Sequence, residues 1–472
     1  MTVGASRIEK DSMGEMSLPE SALYGASTQR AVLNFPVSGY RFSRPFIRAL
    51  GLIKWGAAQA NHDLGLLDAH RTALIVQAAE EVAEGKLDEH FPLDIFQTGS
   101  GTSTNTNANE VISNRCCQLA NQPIGARDPV HPNDHVNMGQ SSNDVIPSAI
   151  HVSAAEQLKN SLLPELEKLQ TELEAKATEF HDVIKIGRTH LMDAVPIRLG
   201  QEFSGYARQI ELSIARIEAT LPGLRELAIG GTAVGTGLNT HPEFGARVAR
   251  ELIELTGSVF QEAENHFEAQ GSRDAYVFTA GALTALAAAL MKIANDIRLL
   301  ASGPRAGLGE LILPSLQPGS SIMPGKVNPV ICEAVIQVGA QVMGNAHAIA
   351  LGGQWGQLDL NVMLPMMARN MLESIRLLAN VSRVFVDKAL ADLEANRERA
   401  ESYVEGSISM ATALNPLIGY DHAAKIAKKS HATGRTIRDL AYEESGLTRE
   451  QIDEALHPRR QTEASSGTGT GN

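Results

Sequence analysis

The sequence contains few cysteines and few aromatic residues. Its three cysteines, Cys116, Cys117 and Cys332, are too few and too poorly spaced for a disulfide framework or an iron–sulfur cluster. Hydrophobic residues make up 43% of the 472 residues, whereas aromatic residues make up only 4%. This balance is typical of helices rich in Ala and Leu rather than of sheets, so we predict a mainly α fold.

Basic clusters and long apolar runs are also scarce. The formal net charge is −13, and no block of Lys and Arg offsets it, so we expect neither nucleic acid nor a membrane as a partner. Residues 1–18 contain no apolar signal core. The most apolar stretch, residues 275–291, is interrupted by Thr and Gly, and we expect it to fall short of a membrane span. The predicted location is a reducing cytoplasm.

Apolar residues recur at spacings of three and four positions over long segments, which indicates amphipathic helices. Such helices are predicted for residues 151–178, with a bend at Pro164, and for residues 203–221. Residues 275–301 are apolar on nearly every side, so this helix must be enclosed, which suggests that other subunits pack against it. Further helices are predicted at residues 329–350 and 362–396.

These patterns predict three domains. Residues 1–141 form a mixed N-terminal domain, residues 142–396 a central helical bundle, and residues 397–472 a small C-terminal helical domain. Its last residues, 465–472, have no apolar side chain to bury and are predicted to be disordered. The glycine-rich run at 230–237 lacks the GxGxxG spacing of a nucleotide cradle, so we interpret it as a connection between helices.

The most informative segment is the loop from Gly319 to Pro329, with the sequence GSSIMPGKVNP. Its glycines and prolines keep it out of a helix and let it close as a unit over a ligand. Ser320 offers a hydroxyl for proton transfer, while Lys326 and Asn328 can hold an anion. This combination points to chemistry on a carboxylate.

Three other segments carry groups that suit a carboxylate ligand. Residues 99–105 combine small residues with amides and hydroxyls. Residues 140–144 precede a helical pattern and can direct hydroxyls and backbone N–H groups toward an anion, a role compatible with helix N-capping. Residues 187–194 supply His190, a type of side chain that titrates close to neutrality.

Taken in order, these four segments resemble the motifs of the fumarase/aspartase superfamily. The likeness extends from about residue 8 to about residue 445 and includes the segments 8–15 and 23–35. Within the superfamily the sequence is most similar to the iron-independent, class II fumarases. His190 and Gly325 stand where aspartases typically carry glutamine and alanine.

The resemblance implies a fumarase/aspartase-like fold in which a central bundle of long helices forms the core of a homotetramer. It also implies reversible hydration of fumarate to malate, with no metal and no other cofactor. The candidate catalytic residues are His190, Ser320 and Glu333. The candidate substrate-binding residues are Ser100, Gly101, Thr102, Ser141, Ser142, Asn143, Thr189, Ser321, Lys326, Val327 and Asn328. A possible second carboxylate site comprises His131, Pro132, Asn133 and Asp134.

The chemistry of malate dehydration assigns roles to the catalytic candidates. Removal of a C–H proton next to a carboxylate builds up negative charge on an aci-carboxylate, which the site must stabilise. We predict that Ser320 is the base, acting as an alkoxide stabilised by loop N–H groups or a nearby positive charge. His190, oriented by Glu333, would act on the departing hydroxyl through a bound water. Alternatively, Glu333 near the start of a helix only pairs with the helix dipole.

The positions of the motifs along the chain predict composite sites. The motifs precede, begin and follow long helices, and antiparallel helices of roughly 40 Å would place some of them at opposite ends of one chain. Loops from different subunits of a twofold-symmetric tetramer would meet instead. We therefore expect His190 and Ser320 of one site to come from different chains.

Three positions depart from the family pattern. Asp128 stands beside Arg127 where a basic residue is often found, and its charge would weaken anion binding at the second site. Gly139 replaces a more usual serine, and Asp359 replaces a glutamate.

Two alternatives stay open at this point. One is an aspartate ammonia-lyase, which would share the loop and the bundle but which His190 argues against. The other is a catalytically silent member of the superfamily, and the intact Ser320, Lys326 and Asn328 argue against that.

Overall fold

The computed structural model describes residues 5–464, so the predicted tail at 465–472 lies outside the described residues. In chain order the α-helices are α1 (Ala26–Asn34), α2 (Arg44–Asp63), α3 (Ala69–Ala83), α4 (Thr102–Leu119), α5 (Ser142–Gln157), α6 (Leu163–Glu179), α7 (Leu199–Glu218), α8 (Leu221–Arg225), α9 (Phe244–Thr256), α10 (His266–Gly271), α11 (Asp274–Leu300), α12 (Val330–Gly353), α13 (Leu364–Phe385), α14 (Arg397–Gly406), α15 (Asn415–Ile418), α16 (Tyr420–Thr433), α17 (Ile437–Glu444) and α18 (Arg449–Ala455). The prediction of a mainly α fold is therefore confirmed.

The strands of the described residues are short and pair two by two. They are β1 (Ser6–Asp11), β2 (Gly14–Pro19), β3 (Ile184–Thr189), β4 (Met192–Arg198), β5 (Glu226–Leu227), β6 (Gln261–Glu262), β7 (Leu311–Ile312), β8 (Gly356–Gln357), β9 (Leu360–Asn361) and β10 (Glu394–Ala395). The pairs are β1 with β2, β3 with β4, β5 with β6, β7 with β10, and β8 with β9. Short 3₁₀ segments lie at Asp88–His90, Ile408–Leu414 and Pro458–Thr462, and π turns lie at Pro132–Val136, Leu158–Leu162 and Val386–Leu390.

The helix predicted at 151–178 is longer than its apolar pattern and is interrupted. It begins at Ser142, and the π turn Leu158–Leu162 separates α5 from α6. Pro164 is the second residue of α6 and has no N–H to donate, and its ring would clash with the carbonyl four residues earlier in a regular α-helix. The wider π turn accommodates this conflict, which is the physical basis of the predicted interruption.

The chain folds into two compact units. The first contains residues 5–164, 213–287 and 338–379, and the second contains residues 165–212, 288–337 and 380–464. Both units are assembled from separated segments of the chain. The predicted division into three domains at residues 141 and 396 stays a prediction.

The first unit is built around α2. This helix packs against α3, α5 and α9, and α4 packs against α1, α3 and α5. Its buried face includes Phe46, Leu50, Ile53 and Ala57, which are all completely buried. This arrangement brings the N-terminal ends of α4 and α5 into one packed layer.

The second unit places a hairpin on a small helical core. Strand β3 contacts α14, and β4 contacts the 3₁₀ segments Ile408–Leu414 and Pro458–Thr462. Buried Leu414, Ile426 and Leu440 belong to that core, and Ile184 of β3 packs against it. The core therefore fixes the hairpin whose tip carries His190.

Two helices of the described residues are long and apolar enough to cross a membrane by length and composition alone. They are α11 and α12, whose most apolar 18-residue windows have mean hydropathies of 1.8 and 1.2. The expectation that the apolar stretch at 275–291 falls short of a membrane span was therefore wrong for length and composition. The core helix of a soluble protein passes the same test, so this finding is weak evidence for a membrane.

The glycine-rich run at 230–237 connects β5 to α9 and contains no helix or strand. The prediction that it is a connection is confirmed. It contributes more than a connection, however, because its backbone contacts the start of α5, as the site geometry below shows.

Candidate active site

Two helix N-termini of the first unit meet through a chain of hydroxyl groups. Ser100 Oγ lies 2.7 Å from Thr102 Oγ1, which in turn lies 2.7 Å from Ser142 Oγ. Thr102 is the first residue of α4 and Ser142 the first residue of α5. Helix N-termini carry unsatisfied N–H groups and partial positive charge, so this junction is suited to a carboxylate.

Gly101 permits this junction. Its φ of 72° is the left-handed conformation, and a Cβ atom there would come within 2.9 Å of the Ile146 side chain. A side chain at this position would be strained and would push α4 away from α5. The segment at 99–105 is therefore a turn that sets the start of α4, with two of its hydroxyls in the chain described above.

Ser141 and Asn143 have structural roles at the start of α5. Ser141 Oγ accepts from Asn143 N at 3.2 Å, and Asp144 Oδ1 accepts from Ser141 N at 2.9 Å, which together form a capping box. Asn143 Nδ2 donates to Ala233 O at 2.8 Å. The N-cap that the sequence indicated is confirmed, and the carboxylate-binding role of the same residues stays a prediction.

Asp144 joins the start of α5 to the glycine-rich run. Its Oδ2 accepts from Gly230 N at 3.2 Å and from Thr232 N at 2.9 Å, and its side chain is fully buried. Burial raises the pKa of this carboxyl to about 7, against the opposing effect of the three backbone N–H donors. The sequence analysis did not predict this contact. The glycines at 230–237 could have indicated it, because glycine allows another segment to approach the backbone closely.

Lys54 contacts the segment that precedes α5, and the sequence analysis did not predict this contact either. Its ammonium is buried and donates to Asn137 Oδ1 at 3.0 Å and to Gln140 Oε1 at 2.9 Å. Burial lowers the pKa of Lys54 to about 7, and the charge of Asp144 acts in the opposite direction. A buried amine is thus fixed behind Gln140, the residue that precedes the N-cap Ser141.

The possible second carboxylate site is a π turn. His131 Nδ1 accepts from Asn133 N at 3.3 Å and from Asp134 N at 3.2 Å, so this ring nitrogen is occupied within the turn. Pro132 is buried, and Asn133 and Asp134 are exposed. Nearby Arg127 donates to Lys10 O at 2.8 Å. The second site stays a prediction.

Gly139, one of the departures from the family pattern, has a φ of 70°. The serine that is more usual there would be strained in this conformation, and a Cβ would approach Thr240 Oγ1 to 2.7 Å. Asp359 and Asp128, the other departures, are both exposed.

In the second unit, the loop at 319–329 is closed by its own hydrogen bonds. Gly319 N donates to Lys326 O at 2.7 Å, and Asn328 Nδ2 donates to Gly319 O at 2.9 Å. A Cβ at position 319 would lie 2.5 Å from Lys326 O, so only glycine permits this closure. Asn328, a predicted substrate ligand, therefore also holds the two ends of the loop together.

Ser320 is placed inside this loop with its oxygen already solvated by the backbone. Its Oγ accepts from Ile322 N at 3.2 Å and from Met323 N at 3.1 Å. Two N–H donors directed at one oxygen stabilise negative charge on it. Ser321, Lys326 and Val327 of the same loop are exposed.

His190 lies at the tip of the β3–β4 hairpin. His190 and Leu191 have φ values of 56° and 62°, and they form a two-residue turn of the kind found in type I′ hairpins. Positive φ is uncommon for histidine and a marked outlier for leucine, so this turn stores strain of about 1–3 kcal/mol per residue. Strain of this kind is common at active sites.

An ion pair fixes the hairpin below its tip. Arg188 donates through Nη1 and Nη2 to the two carboxylate oxygens of Glu310 at 2.8 and 3.0 Å, and Glu310 is fully buried. Ser407 Oγ donates to Asp193 Oδ2 at 3.1 Å from the other strand. Thr189, a predicted substrate ligand, is exposed beside the tip. No local sequence pattern indicated the contact between Arg188 and Glu310.

The structure does not bring all catalytic candidates into contact. Within residues 5–464, no hydrogen bond or ion pair joins His190 to Glu333 or to the loop at 319–329. Glu333 lies in the first turn of α12, where its charge is favourable to the helix dipole. The orienting role of Glu333 toward His190 stays a prediction. The same described residues contain no group of three or more His, Cys, Asp or Glu arranged to hold a metal ion.

Comparison with known proteins identifies the family. A lyase family pattern matches residues 14–344, and a pattern for the C-terminus of fumarase C matches residues 410–463. A class II fumarate hydratase of Corynebacterium efficiens is 55% identical over 462 residues, which are 97% of this chain and 96% of that protein. The chain belongs to the class II fumarate hydratase family.

Other members of this fumarate hydratase family agree over nearly the whole chain. The mitochondrial fumarate hydratase of Homo sapiens is 52% identical and covers 96% of this chain, with 89% of its own length matched. The crystal structure of a recombinant class II fumarase from Schistosoma mansoni superimposes with a TM-score of 0.95 at 42% identity, covering 97% of this chain and 99% of that one. The predicted family and fold are confirmed, and membership in the hydratase family weighs against the ammonia-lyase alternative.

Proposed function

We propose that this protein catalyses the reversible hydration of fumarate to (S)-malate, as a fumarate hydratase of the tricarboxylic acid cycle. The observation that carries the proposal is the environment of Ser320. Its Oγ accepts two backbone N–H bonds within a closed loop that also carries Lys326 and Asn328. A base stabilised as an anion and a cation for a carboxylate are thus held on one rigid segment, as elimination next to a carboxylate requires.

In the dehydration direction, Ser320 acts first. Its alkoxide, stabilised by the N–H groups of Ile322 and Met323, takes the proton from the malate carbon next to a carboxylate. The electron pair of that C–H bond moves onto the neighbouring carboxylate and gives the aci-carboxylate. Lys326 stabilises this charge as it develops, which is the larger part of the catalytic task.

Departure of hydroxide completes the reaction. The electron pair of the aci-carboxylate forms the carbon–carbon double bond and the C–O bond breaks. His190, held in a strained turn, delivers a proton to the departing hydroxyl through a bound water, so that water leaves. Glu333 orients His190 in the assembled site.

The carboxylates of the substrate are held where the first unit presents α4 and α5. Thr102 and Ser142, with Ser100, Ser141 and Asn143, supply hydroxyls and N–H groups at these two helix N-termini. The formal net charge of −13 repels a dicarboxylate at long range, so binding depends on such local positive potential. Gly101, Thr189, Ser321 and Val327 line the remainder of the proposed site, and residues 131–134 form the possible second carboxylate site.

The proposed assembly is a homotetramer with four composite sites. In α11 only 50% of the most apolar 18-residue window is buried within this chain, and in α12 only 28%. Apolar helix surface of this extent needs further cover in a protein that works in water. Other copies of the chain provide that cover and bring His190 and Ser320 of different subunits together.

The proposed compartment is a reducing one. Cys116, Cys117 and Cys332 are free and buried, and none of them forms a disulfide within the described residues. Cytoplasmic location agrees with this chemistry, although the Homo sapiens relative is named mitochondrial.

Ultraviolet absorbance of fumarate tests the proposal. Purified protein mixed with malate is expected to produce fumarate, and the same protein mixed with aspartate is expected to produce none. Fumarate from aspartate would identify an ammonia-lyase instead. No fumarate from either substrate would identify a catalytically silent member of the superfamily.

A further inference from the structure

A small cavity in the first unit lies apart from the proposed active-site residues. Its volume is about 150 Å³, and it lies between α5, β5 and the start of α11. The polar residues of its wall are His151, Glu226, Glu268, Ser272, Arg273 and Asp274. The proposed reaction uses none of them.

Arg273 presents an unpaired cation to this cavity. The residue is 2% exposed, its Nε donates to Ser272 O, and its Nη2 donates to Ala269 O. Nη1 has no hydrogen-bond partner in the part of the chain that the structure describes, and no carboxylate lies within ion-pair distance of the guanidinium there. Burial lowers the pKa of Arg273 to about 10, so the group stays charged at neutral pH. A buried cation of this kind is costly unless an anion joins it.

His151 presents a hydrogen-bond acceptor to the same cavity. The residue is 7% exposed, and its Nδ1 lies 2.8 Å from Glu226 O. A carbonyl oxygen can only accept, so Nδ1 carries the hydrogen. Burial lowers the pKa of His151 to about 3, which keeps the ring neutral. Nε2 is therefore a bare lone pair, and among the described residues it has no partner.

Tyr276 adds a third buried polar group beside these two. Its ring lies parallel to the His151 ring with centroids 6.2 Å apart. Its hydroxyl is buried and, within residues 5–464, has no partner. Buried polar groups in proteins are nearly always satisfied by protein, water or a ligand, so the two unsatisfied groups that belong to the cavity wall, Arg273 and His151, indicate that something occupies the cavity.

The rim of the cavity is negatively charged. Glu268 and Asp274 are exposed and Glu226 is half-buried, all three on the cavity wall. Arg273 attracts an anion into the interior, while the rim repels one and attracts a cation. A molecule that carries both charges a short distance apart satisfies the two requirements at once.

We propose that this cavity binds a small α-amino acid as its zwitterion. The carboxylate accepts hydrogen bonds from Arg273 Nη1, and the ammonium donates to His151 Nε2 and faces the carboxylates of Glu268 and Asp274. The volume suits the smallest amino acids. Glycine, with five non-hydrogen atoms, is the smallest of them and fits within a cavity of about 150 Å³.

Calorimetric titration of the full-length protein with glycine tests this site. Saturating fumarate is present throughout, so that the proposed active site is occupied whether or not it turns over. Saturable binding of glycine is expected, with acetate and methylammonium at least tenfold weaker, because each lacks one of the two charged contacts. Acetate binding as tightly as glycine would overturn the zwitterion proposal in favour of a simple anion site. No binding of glycine would mean that the cavity holds water only.

A matched pair of exposed substitutions checks the location. Glu268→Gln removes a rim charge without disturbing the interior and is expected to weaken glycine binding about two- to fivefold. Glu264→Gln, an exposed change on a residue outside the cavity wall, is the control and is expected to leave binding unchanged. Equal affinities for the two variants would place the glycine site elsewhere.

Arg273→Met is expected to cause the largest loss of glycine affinity, provided that the variant folds. Glycine binding is expected to fall at least tenfold while the circular dichroism spectrum is retained. Unchanged glycine binding in the folded variant would overturn the assignment of Arg273. If the variant does not fold, the Glu268→Gln and Glu264→Gln pair still decides the question.

Discussion

At the scale of single residues, the proposed reactivity depends on the hydrogen-bond donors that surround the Ser320 hydroxyl. Two N–H groups, from Ile322 and Met323, are directed at its Oγ, and both come from the same short turn. An ordinary serine hydroxyl is a poor base, so stabilisation of the alkoxide by fixed donors is the condition for its use. The loop provides these donors without borrowing a side chain from elsewhere.

Ser320→Ala removes the proposed base and leaves the backbone of the loop intact. Turnover of malate is expected to fall by at least about a thousandfold, whereas the dissociation constant for fumarate changes little, because the carboxylate contacts remain. Ser315→Ala, at an exposed hydroxyl that precedes the loop, is the control and is expected to retain most of the turnover. Near-normal turnover of Ser320→Ala would refute the assignment of the base.

His151 provides a test of the protonation state of a buried group. Burial lowers its pKa from 6.5 to about 3 in the folded protein. Between these two pH values the unfolded chain binds a proton at this residue and the folded chain does not. Stability from this source is fully present above pH 6.5 and is lost as pH falls toward 3. The loss approaches about 1.4 kcal/mol per pH unit below the unfolded pKa.

Replacement of His151 by Gln removes this proton uptake. We expect the free energy of unfolding of the wild-type protein to fall by about 2 kcal/mol more between pH 6.5 and pH 5 than that of His151→Gln, measured by urea denaturation. An identical pH dependence for the two proteins would mean that the buried ring is protonated in the folded state.

At the scale of elements, the loop at 319–329 acts as a closed ring of hydrogen bonds. The contact between Gly319 N and Lys326 O joins its ends, and Asn328 Nδ2 reinforces the same junction. Such a loop can move as one body, so that Ser320 and Lys326 keep their spacing while the loop opens or closes.

Gly319→Ala breaks this closure, because the added Cβ would lie 2.5 Å from Lys326 O. Turnover is expected to fall at least tenfold, while the melting temperature changes little, since most of the loop is exposed. Gly406→Ala at the end of α14, where nothing lies within 4 Å of the added Cβ, is the matched control and is expected to keep full turnover. Equal turnover in the two variants would show that closure of the loop is not required.

The second element that matters is the start of α5, which is supported from below. Lys54 donates to Gln140 and Asn137, and Asp144 accepts from Ser141, Gly230 and Thr232. The turn that presents Ser141 and Ser142 is therefore fixed on both sides by buried polar contacts. Such networks specify one geometry when every member is satisfied.

Lys54→Met removes the buried amine donor from this network. Two amide oxygens lose a buried donor, and the free energy of unfolding is expected to fall by about 2–4 kcal/mol, as measured by urea denaturation. The KM for malate is expected to rise as well, because Gln140 no longer holds the N-cap in place. Lys428→Met, at an exposed position, is the control. A variant with wild-type stability and KM would mean that Lys54 is a passive core residue.

At the scale of the whole molecule, one chain leaves apolar helix surface uncovered and catalytic candidates apart. Phe278 and Leu299 of α11 are 58% and 42% exposed, and Leu351 of α12 is 45% exposed. The same chain makes no hydrogen bond between His190 and the Ser320 loop within its described residues. A homotetramer would account for both observations, because the contacts that cover the apolar helices would also bring His190 of one subunit close to Ser320 of another.

Complementation between two inactive variants tests this assembly. His190→Asn and Ser320→Ala proteins, unfolded together and refolded as mixed oligomers, are expected to regain measurable turnover, because some sites then receive both intact residues from different chains. Each variant refolded alone is the control. Recovery no greater than in those controls would show that both residues of a site come from one chain, and a monomer in solution would exclude composite sites.

Features that depend on neighbouring residues could be predicted from the order of the amino acids alone. Helical periodicity located α5, α7, α11 and α12, and residues 140–144 were predicted to be compatible with an N-cap at the start of α5. The order of the motifs sufficed to predict the family. These features could be predicted because a helix, a cap or a tight loop is stabilised by contacts within a few residues.

The distant groups that support the site could not be predicted in this way and became evident only from the packing of the folded chain. Lys54 and Asn137 are 83 positions apart, Asp144 and Thr232 are 88 apart, and Arg188 and Glu310 are 122 apart. The same holds for the cavity between His151 and Arg273, whose polar groups come from α5 and the start of α11. The local sequence around a buried Lys, Asp or Arg does not indicate its hydrogen-bond partner. The partner depends on how the helices and strands pack and on which polar groups are removed from water together.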